Sequence, residues 1–152
     1  MKKKLLLFLV LSSFVKGYSQ DSIVNYLDRD GKITVKGKAR SIETIVKKDS
    51  LWLVRKYYPS GKIFRLGKFK DKTKKEPIGE FSQYYRSGKI KKIFFYNNKS
   101  LKSSWIKSWF HTGKLSYTGL YRKNKKEGVW KYYHFNGEIA SKLYYKNDSI
   151  VK

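Results

Sequence analysis

The sequence predicts an all-β protein whose tandem antiparallel hairpins form an elongated meander. Three observations predict it: a turn glycine recurs about every 25 residues, aromatic residues stand at fixed distances on both sides of it, and the spacing beyond it alternates as in a strand. The turn glycines are Gly31, Gly61, Gly88, Gly113 and Gly137.

Each turn glycine follows a small or polar residue, as in Ser60-Gly61 and Asn136-Gly137. Tight hairpin turns need a residue with positive φ, which glycine adopts without steric cost. A lone hairpin is marginal in water, whereas stacked hairpins shelter one another's apolar faces. The spacing therefore predicts a row of hairpins in which each packs against the next.

The strand after each clear turn carries apolar residues at even offsets, such as Ile90, Phe94 and Tyr96 beyond Gly88. Because successive strand side chains point to opposite faces, we expect all of these offsets to share one face. The weaker first copy, after Gly31, has the same parity and predicts a strand through Ile33, Val35, Gly37 and Ala39.

An aromatic residue also stands four positions before each of the four clear turn glycines, and a large apolar residue, aromatic in two copies, stands seven positions before. Stacking against neighbouring hairpins would bury them, so we expect the core to hold ten aromatics. These are Tyr57, Phe69, Phe81, Tyr84, Tyr96, Trp109, Tyr121, Trp130, Tyr133 and Tyr145. Residues 40–50 lie outside the pattern and fit either a short helix or another strand.

The first residues are typical of a secretory signal peptide. Lys2 to Lys4 precede an apolar run from Leu5 to Val15, and Ser19 is a small residue before a potential cleavage site at Gln20. The alternative is a retained membrane anchor. We expect residues 1–19 to be removed, 20–49 to form an N-terminal segment with the degenerate repeat, and 50–152 to form four hairpin repeats. The protein would then be secreted or periplasmic, with peripheral membrane association as an option.

Charge narrows the class of partner. The net charge is +25, and removing the four lysines of the signal segment leaves +21. Such a chain attracts polyanions. An envelope location disfavours nucleic acid and favours anionic lipid or an acidic envelope polymer. The alternative is that the lysines only keep an exposed sheet soluble.

Catalytic and metal-binding patterns are missing from the sequence. There is no cysteine, and the chain lacks the nucleophile, zinc-binding and phosphate-loop motifs of common enzyme classes. We therefore predict no catalytic residues, no metal, no cofactor and no small-molecule substrate.

Two lysine clusters lie between hairpins and are the candidate binding residues. Because equivalent loops of a stacked array line up along one edge, Lys74, Lys75, Lys125 and Lys126 are predicted to form a basic stripe that contacts an anionic surface. The alternative is that they are solvated turn residues.

The clearest unit runs from Gly128 to Ile139, Gly-Val-Trp-Lys-Tyr-Tyr-His-Phe-Asn-Gly-Glu-Ile. With the copies at 50–127, it resembles the MORN-repeat variant family, some of whose bacterial members carry signal peptides or the label antitoxin. It departs from the family pattern by having Glu138 where lysine is expected. The resemblance implies a non-catalytic scaffold that binds another protein, with anionic lipid binding or an antitoxin-like role as alternatives.

Overall fold

A computed structural model describes residues 22–97 and 103–151; the predicted signal segment, 1–19, lies outside the described residues. The described chain forms one antiparallel sheet in which each of eleven strands pairs with the next along the sequence. The strands are β1 (Ser22–Leu27), β2 (Ser41–Lys48), β3 (Leu51–Tyr57), β4 (Ile63–Phe69), β5 (Pro77–Tyr84), β6 (Ile90–Tyr96), β7 (Ser104–Trp109), β8 (Leu115–Arg122), β9 (Lys125–Tyr133), β10 (Ile139–Lys146) and β11 (Ser149–Val151). The predicted all-β class and hairpin meander are confirmed.

The glycine turns share one hydrogen-bond pattern. In the turn between β5 and β6, the Tyr85 N–H donates to the Lys89 carbonyl, and the Gly88 N–H donates to the Tyr85 carbonyl, both at 2.9 Å. The same two bonds close the turns at Gly31, Gly61, Gly113 and Gly137. All five glycines have positive φ, between 79° and 98°. The recurring glycine is therefore a backbone requirement of the turn.

A bulge follows each of the four later turns. Between β5 and β6, Gln83 pairs with Lys92 whereas Tyr84 pairs with Ile90, so β6 has one extra residue. The bulge turns Ile90 to the face opposite Lys92. The same shift occurs in the other three hairpins. The expectation that all even offsets share one face is therefore wrong for the position two after the glycine.

The N-terminal segment differs from the predicted degenerate repeat. After the Gly31 turn, only Ile33 bridges back to Leu27, and the chain then forms a short 3₁₀ helix at Lys36–Lys38. The predicted strand through residues 33–39 is wrong, because the chain leaves the sheet after one bridge. Residues 41–48 are β2, which settles the open choice between helix and strand.

The core lies on one face of the sheet, here called the inner face. Phe81, Phe94, Ile106 and Trp130 form its buried cluster. Partly buried aromatic rings surround this cluster: Phe69, Tyr96, Tyr117, Tyr121, Tyr132 and Tyr145. Two are tyrosines that the repeat pattern did not single out, Tyr117 and Tyr132.

Four aromatics expected in the core are elsewhere. Tyr57, Tyr84, Trp109 and Tyr133 are half-buried and absent from the core cluster. They stand three residues after the inner-face position of their own strand, and an odd spacing puts them on the opposite face, here called the outer face. Strand alternation therefore overrides the aromatic character of these positions.

Two glycines without side chains make room for the largest core rings. A Cβ on Gly67 would overlap the Phe81 ring, and one on Gly119 would overlap the Trp130 ring. Gly79 and Gly128, both at positive φ, lie near the start of β5 and β9, two residues before these rings. The pairing of β4 with β5 and of β8 with β9 is irregular at these glycines, and each ring packs over the glycine of the preceding hairpin. The structural repeat is thus a pair of hairpins: β3–β6 form the first pair and β7–β10 the second.

Candidate interaction surfaces

The glycine turns lie at one end of the strands, where hydrogen bonds link each turn to the next. The Lys62, Lys89 and Lys114 ammonium groups each reach a carbonyl oxygen of the next turn, at 3.5, 3.4 and 2.8 Å. Tyr58 donates to the Tyr84 carbonyl at 2.9 Å, and Tyr85 to the Trp109 carbonyl at 2.6 Å. The Gly-Lys pair of the motif is therefore a connection between repeats.

Glu138 departs from the family pattern at the last of these turns. In the described chain no further glycine turn follows it, so a lysine there would have no carbonyl to reach. Instead, the Glu138 carboxylate accepts a hydrogen bond from the Asn136 amide at 2.8 Å within the same turn. The substitution marks the terminal position of the lysine ladder.

A cleft opens on the inner face beside β2 to β5, where Glu43 lies at its base. The Glu43 side chain is fully buried, and its carboxylate contacts the Lys74 ammonium at 2.5 Å and the Lys56 ammonium at 3.5 Å. The Asn25 amide donates to the same carboxylate at 3.4 Å. The cleft has a volume of about 360 Å³. Its lining residues are Glu43, Val54, Lys56, Arg65, Gly67, Phe69, Lys74, Lys75, Pro77, Phe81 and Tyr96.

The lysines keep Glu43 ionised inside the protein. Burial raises the pKa of this carboxyl group, but the hydrogen bond from Lys74 and the charges of Lys56 and Lys74 outweigh it, and the net pKa lies below the ordinary value of 4.5. A buried charge is tolerated only when it is paired in this way. Glu43 therefore holds the 70–76 connection onto the sheet through Lys74.

The corresponding space in the second pair of hairpins is filled by Lys126. Its ammonium lies 4.6 Å from the ring centres of both Trp130 and Tyr145, and it donates to the Tyr132 hydroxyl at 3.1 Å. Burial lowers the pKa of Lys126, but the contacts with the Tyr132 and Tyr145 hydroxyls outweigh it and raise the net pKa. The lysine thus stays charged and closes an aromatic box, in which cation–π attraction holds it.

The outer face of the second pair, together with the adjoining strand β6, is both aromatic and basic. Phe95, Trp105 and Tyr144 have exposed fractions of 38%, 58% and 55%. A parallel row of exposed lysines runs beside them: Lys107, Lys131 and Lys142. Lys107 and Lys131 both pair with Thr118, which lies between them on β8, and Lys131 also pairs with Lys142. The row therefore crosses four strands, β7 to β10. We call Phe95, Trp105, Tyr144 and these three lysines the outer patch.

The acids of this half are held at the turns. Glu127 accepts the Asn147 N–H at 3.1 Å, and Asp148 accepts the Lys126 N–H at 2.7 Å. Glu138 lies at the opposite edge with Asn136. These bonds hold the three carboxylates at the ends of strands, and none of the three outer-patch lysines forms an ion pair within the described residues.

The four lysines predicted to contact an anionic surface do not behave alike. Lys74 turns inward to Glu43, and Lys126 turns inward to its aromatic box. Lys75 and Lys125 are exposed. The two clusters also differ in setting: the first lies in the seven-residue connection 70–76, whereas the second begins in the two-residue turn Lys123–Asn124 and continues into β9. The lysines lie along one edge, but half of them hold the repeats together.

Sequence reasoning missed Glu43, Arg65 and the lysines of the outer patch. Glu43 lies in residues 40–50, where the structural class was undecided. The alternation Glu43, Ile45 in a strand would have placed the acid on the core face. The outer-patch lysines lie inside aromatic strands, so attention to loop clusters passed over them.

Comparison with known families covers three of these hairpins. Residues 53–71, 77–98 and 126–147 match the family described as MORN repeat variant. The chain carries repeats of the MORN-repeat variant family. The matched segments fall on β3–β4, β5–β6 and β9–β10, and the β7–β8 hairpin has the same turn bonds without a family match. MORN-repeat units form non-catalytic scaffolds that commonly mediate interactions with proteins or membranes.

The search of curated proteins found no match to the chain. Within residues 22–97 and 103–151, no cluster of three or more histidine, aspartate or glutamate side chains is arranged to hold a metal ion. In the same ranges, no helix has the length and apolar character needed to cross a membrane.

Proposed function

We propose that this MORN-repeat variant protein is a non-catalytic scaffold that acts in the cell envelope or outside the cell, where its outer patch binds an acidic surface of another protein. One observation carries the proposal: three exposed aromatics, on β6, β7 and β10, and a row of three exposed lysines, on β7, β9 and β10, share the outer face of the sheet. Large exposed aromatics grouped together mark interaction sites.

Charge selects the chemistry of the partner. The three lysines lie in one row next to the aromatic row. Glu80, the cross-strand partner of Phe95, accepts a hydrogen bond from the Ser82 hydroxyl, and the carboxylates beyond β8 bond at the ends of strands. A positive patch of this kind raises the encounter rate with a negative surface and rejects a positive one. The aromatics would supply buried contact area, and the lysines orientation and salt dependence. The location outside the cytoplasm rests on the signal-like residues 1–19.

Site-specific photocross-linking in the native organism tests the proposal. A photoreactive phenylalanine replaces Trp105 in one variant and Val24, exposed at the far end of the sheet, in the other. We expect one discrete adduct at position 105 with a protein whose surface is acidic, and none at position 24. Equal adducts at both positions, or none at position 105, would reject a protein partner at this face.

Two variants with the same net charge test the outer patch against an equivalent change elsewhere on the sheet. Trp105→Ser with Lys107→Gln and Lys131→Gln alters the outer patch, whereas Val24→Ser with Lys48→Gln and Lys68→Gln makes the same changes elsewhere. Both should keep the melting temperature of the unaltered chain. Only the first should lose the partner.

Anionic lipid is a second candidate for the same face. Tryptophan and tyrosine favour the interface between water and bilayer, and lysines attract anionic head groups. Co-sedimentation with phosphatidylglycerol vesicles, compared with phosphatidylcholine vesicles, tests it. Binding only to the anionic vesicles, lost in the outer-patch variant and at high salt, would favour lipid over protein. The antitoxin-like role remains a prediction.

A further inference from the structure

We propose that the inner cleft beside Glu43 is a binding site for an organic anion: a carboxylate or phosphate attached to a small aromatic or apolar group. The site is separate from the outer patch and lies on the opposite face of the sheet. Its basic rim would hold the anion, and its aromatic wall would hold the apolar group.

The charge of the cleft is unbalanced. Four of its lining residues are cations and one is an acid: Lys56, Arg65, Lys74 and Lys75 against Glu43. Lys56 and Lys74 pair with Glu43, whereas neither Arg65 nor Lys75 forms an ion pair within the described ranges. Lys75 is exposed at the rim. A guanidinium and an ammonium facing one cavity favour an anion, and the guanidinium can bind it through two hydrogen bonds.

Glu43 itself is incompletely bonded. Its second carboxylate oxygen is buried and has no hydrogen-bond partner, although the Lys56 ammonium lies 3.5 Å away. Buried polar atoms of native proteins nearly always have a partner, so an exception often marks a functional site. Because this oxygen has no exposed surface, a ligand in the cleft would contact the surrounding cations rather than Glu43 itself.

The opposite wall of the cleft is aromatic. The Phe81 ring meets Phe69 edge-on at 5.3 Å between centres and Tyr96 at 4.9 Å. The Phe81 ring lies directly over Gly67, which has no Cβ, and so forms the wall at this point. The Arg65 guanidinium lies 5.3 Å from the centre of the Phe81 ring, where it joins the basic and aromatic parts of the cleft. The arrangement fits one molecule with a charged end and a flat apolar end.

The size fits a small group better than a folded surface. Binding pockets for small molecules begin at about 300 Å³. The cleft, at about 360 Å³, is near this lower limit. It would take a benzene ring with one anionic substituent, or the last residue of a peptide with its terminal carboxylate.

The second pair of hairpins provides an internal comparison. There, Lys126 occupies the place of Pro77, two residues before the positive-φ glycine of the strand, and its side chain fills the aromatic box. Tyr117 occupies the place of Arg65. In the second pair, the space beside the large ring is therefore closed and has no counterpart of the Arg65 guanidinium. In the first pair, the same space is the open cleft.

The test is a titration of the full chain, observed by amide NMR. The probes are phenyl phosphate and N-acetylphenylalanine, with benzylamine and inorganic phosphate as controls. We expect saturable shifts at Gly67, Phe69 and Phe81, little effect of either control, and no shifts at Gly119 or Trp130. Tighter binding of N-acetylphenylalanine would identify a peptide terminus as the source of the anion, and tighter binding of phenyl phosphate a free small molecule.

Variants separate specific binding from general attraction to a basic protein. Arg65→Gln should weaken binding about tenfold, which corresponds to the loss of one charge-assisted contact. Lys125→Gln removes the same charge outside the cleft and should leave binding unchanged. Pro77→Lys places a lysine where the second pair has one and should block the cleft. Trp105→Ser, on the outer face, should leave binding intact even if the proposed partner is lost.

The result that would overturn the site is equally plain. If neither probe binds, or if Lys125→Gln weakens binding as much as Arg65→Gln does, the cleft has no selectivity for an organic anion. Benzylamine binding as tight as that of phenyl phosphate would also reject it, because attraction would then depend on the rings alone.

Discussion

The two pairs of hairpins, β3–β6 and β7–β10, share a skeleton and differ in what their inner faces hold. Gly67 corresponds to Gly119 and Phe81 to Trp130, so each pair drops one large ring over one glycine. In the first pair, the box beside this ring opens into a basic cleft. In the second, Lys126 closes the box.

This difference teaches that the repeat encodes the framework and the non-repeated residues encode function. Turn glycines, ladder lysines and core rings recur because each performs the same task in its hairpin. Pro77 and Lys126, or Arg65 and Tyr117, occupy matching places with different chemistry. The outer face differs as well, because the lysine row belongs to the second pair alone among the described strands.

The largest effect should come from filling the glycine space under either ring. Gly67→Ala and Gly119→Ala would each push a methyl group into an aromatic ring, at a cost of about 3 kcal/mol, the upper end for an overpacked core. Urea unfolding measures the loss. Gly37→Ala, where a Cβ meets nothing within 4 Å, is the control and should cost little. Unequal losses in the two pairs would break the proposed equivalence.

A turn substitution should cost less. Gly88 has a φ of 91°, which a β-branched side chain resists, so Gly88→Val should lower the free energy of unfolding by about 1–3 kcal/mol. A Cβ at Gly88 meets no atom within 4 Å, so the loss would come from the backbone alone. A melting temperature equal to that of the unaltered chain would contradict the turn geometry.

Acid should weaken the first pair through Glu43. Because the pKa of Glu43 in the folded chain is below the ordinary 4.5, its contribution to stability is present above that pH and is lost as pH falls through the folded value. Its partners are Lys74, Lys56 and Asn25. Asp71, whose pKa is lowered by the Thr73 hydroxyl, acts in the same direction. Glu43→Gln should therefore flatten part of the decline in melting temperature below about pH 4.5, and an unchanged decline would remove Glu43 as its cause.

The smallest expected loss of stability comes from removing the Lys126 ammonium in the second pair of hairpins. Lys126→Met should cost about 1 kcal/mol, because it removes the cation–π contacts with Trp130 and Tyr145 while it keeps the apolar stem. Lys125→Met, at the exposed neighbouring position, should cost almost nothing. Chemical denaturation of both variants measures the difference, and equal losses would mean that Lys126 does not fill the box.

Much of the fold follows from local chemistry that the sequence displays. Turn glycines need positive φ, so their spacing alone predicts the hairpins at Gly61, Gly88, Gly113 and Gly137. The face of the sheet to which the first residues after each turn point could not be predicted in the same way. A bulge adds one residue between Ile90 and Lys92, and a bulge leaves no mark in a pattern read by even offsets.

The interaction surfaces were harder to predict because they depend on register between distant strands. Glu43 and Lys74 are 31 residues apart in sequence, and only the sheet brings them together. The lysine clusters at 72–75 and 123–126 look equivalent as sequences. They differ because Lys74 finds a buried carboxylate and Lys126 an aromatic box. The packing of distant strands determines which group each lysine contacts, and a run of lysines in the sequence does not indicate it.

The state of the two boxes can be observed directly in the proton NMR spectrum of the unliganded chain. If Lys126 lies over the faces of Trp130 and Tyr145, ring currents should move its ε-methylene resonance upfield, whereas that of Lys75 should stay near its value in a short peptide. A Lys126 resonance at the peptide value, with Lys75 unchanged, would show that the second box is open like the first and would contradict the division of the sheet into an open half and a closed half.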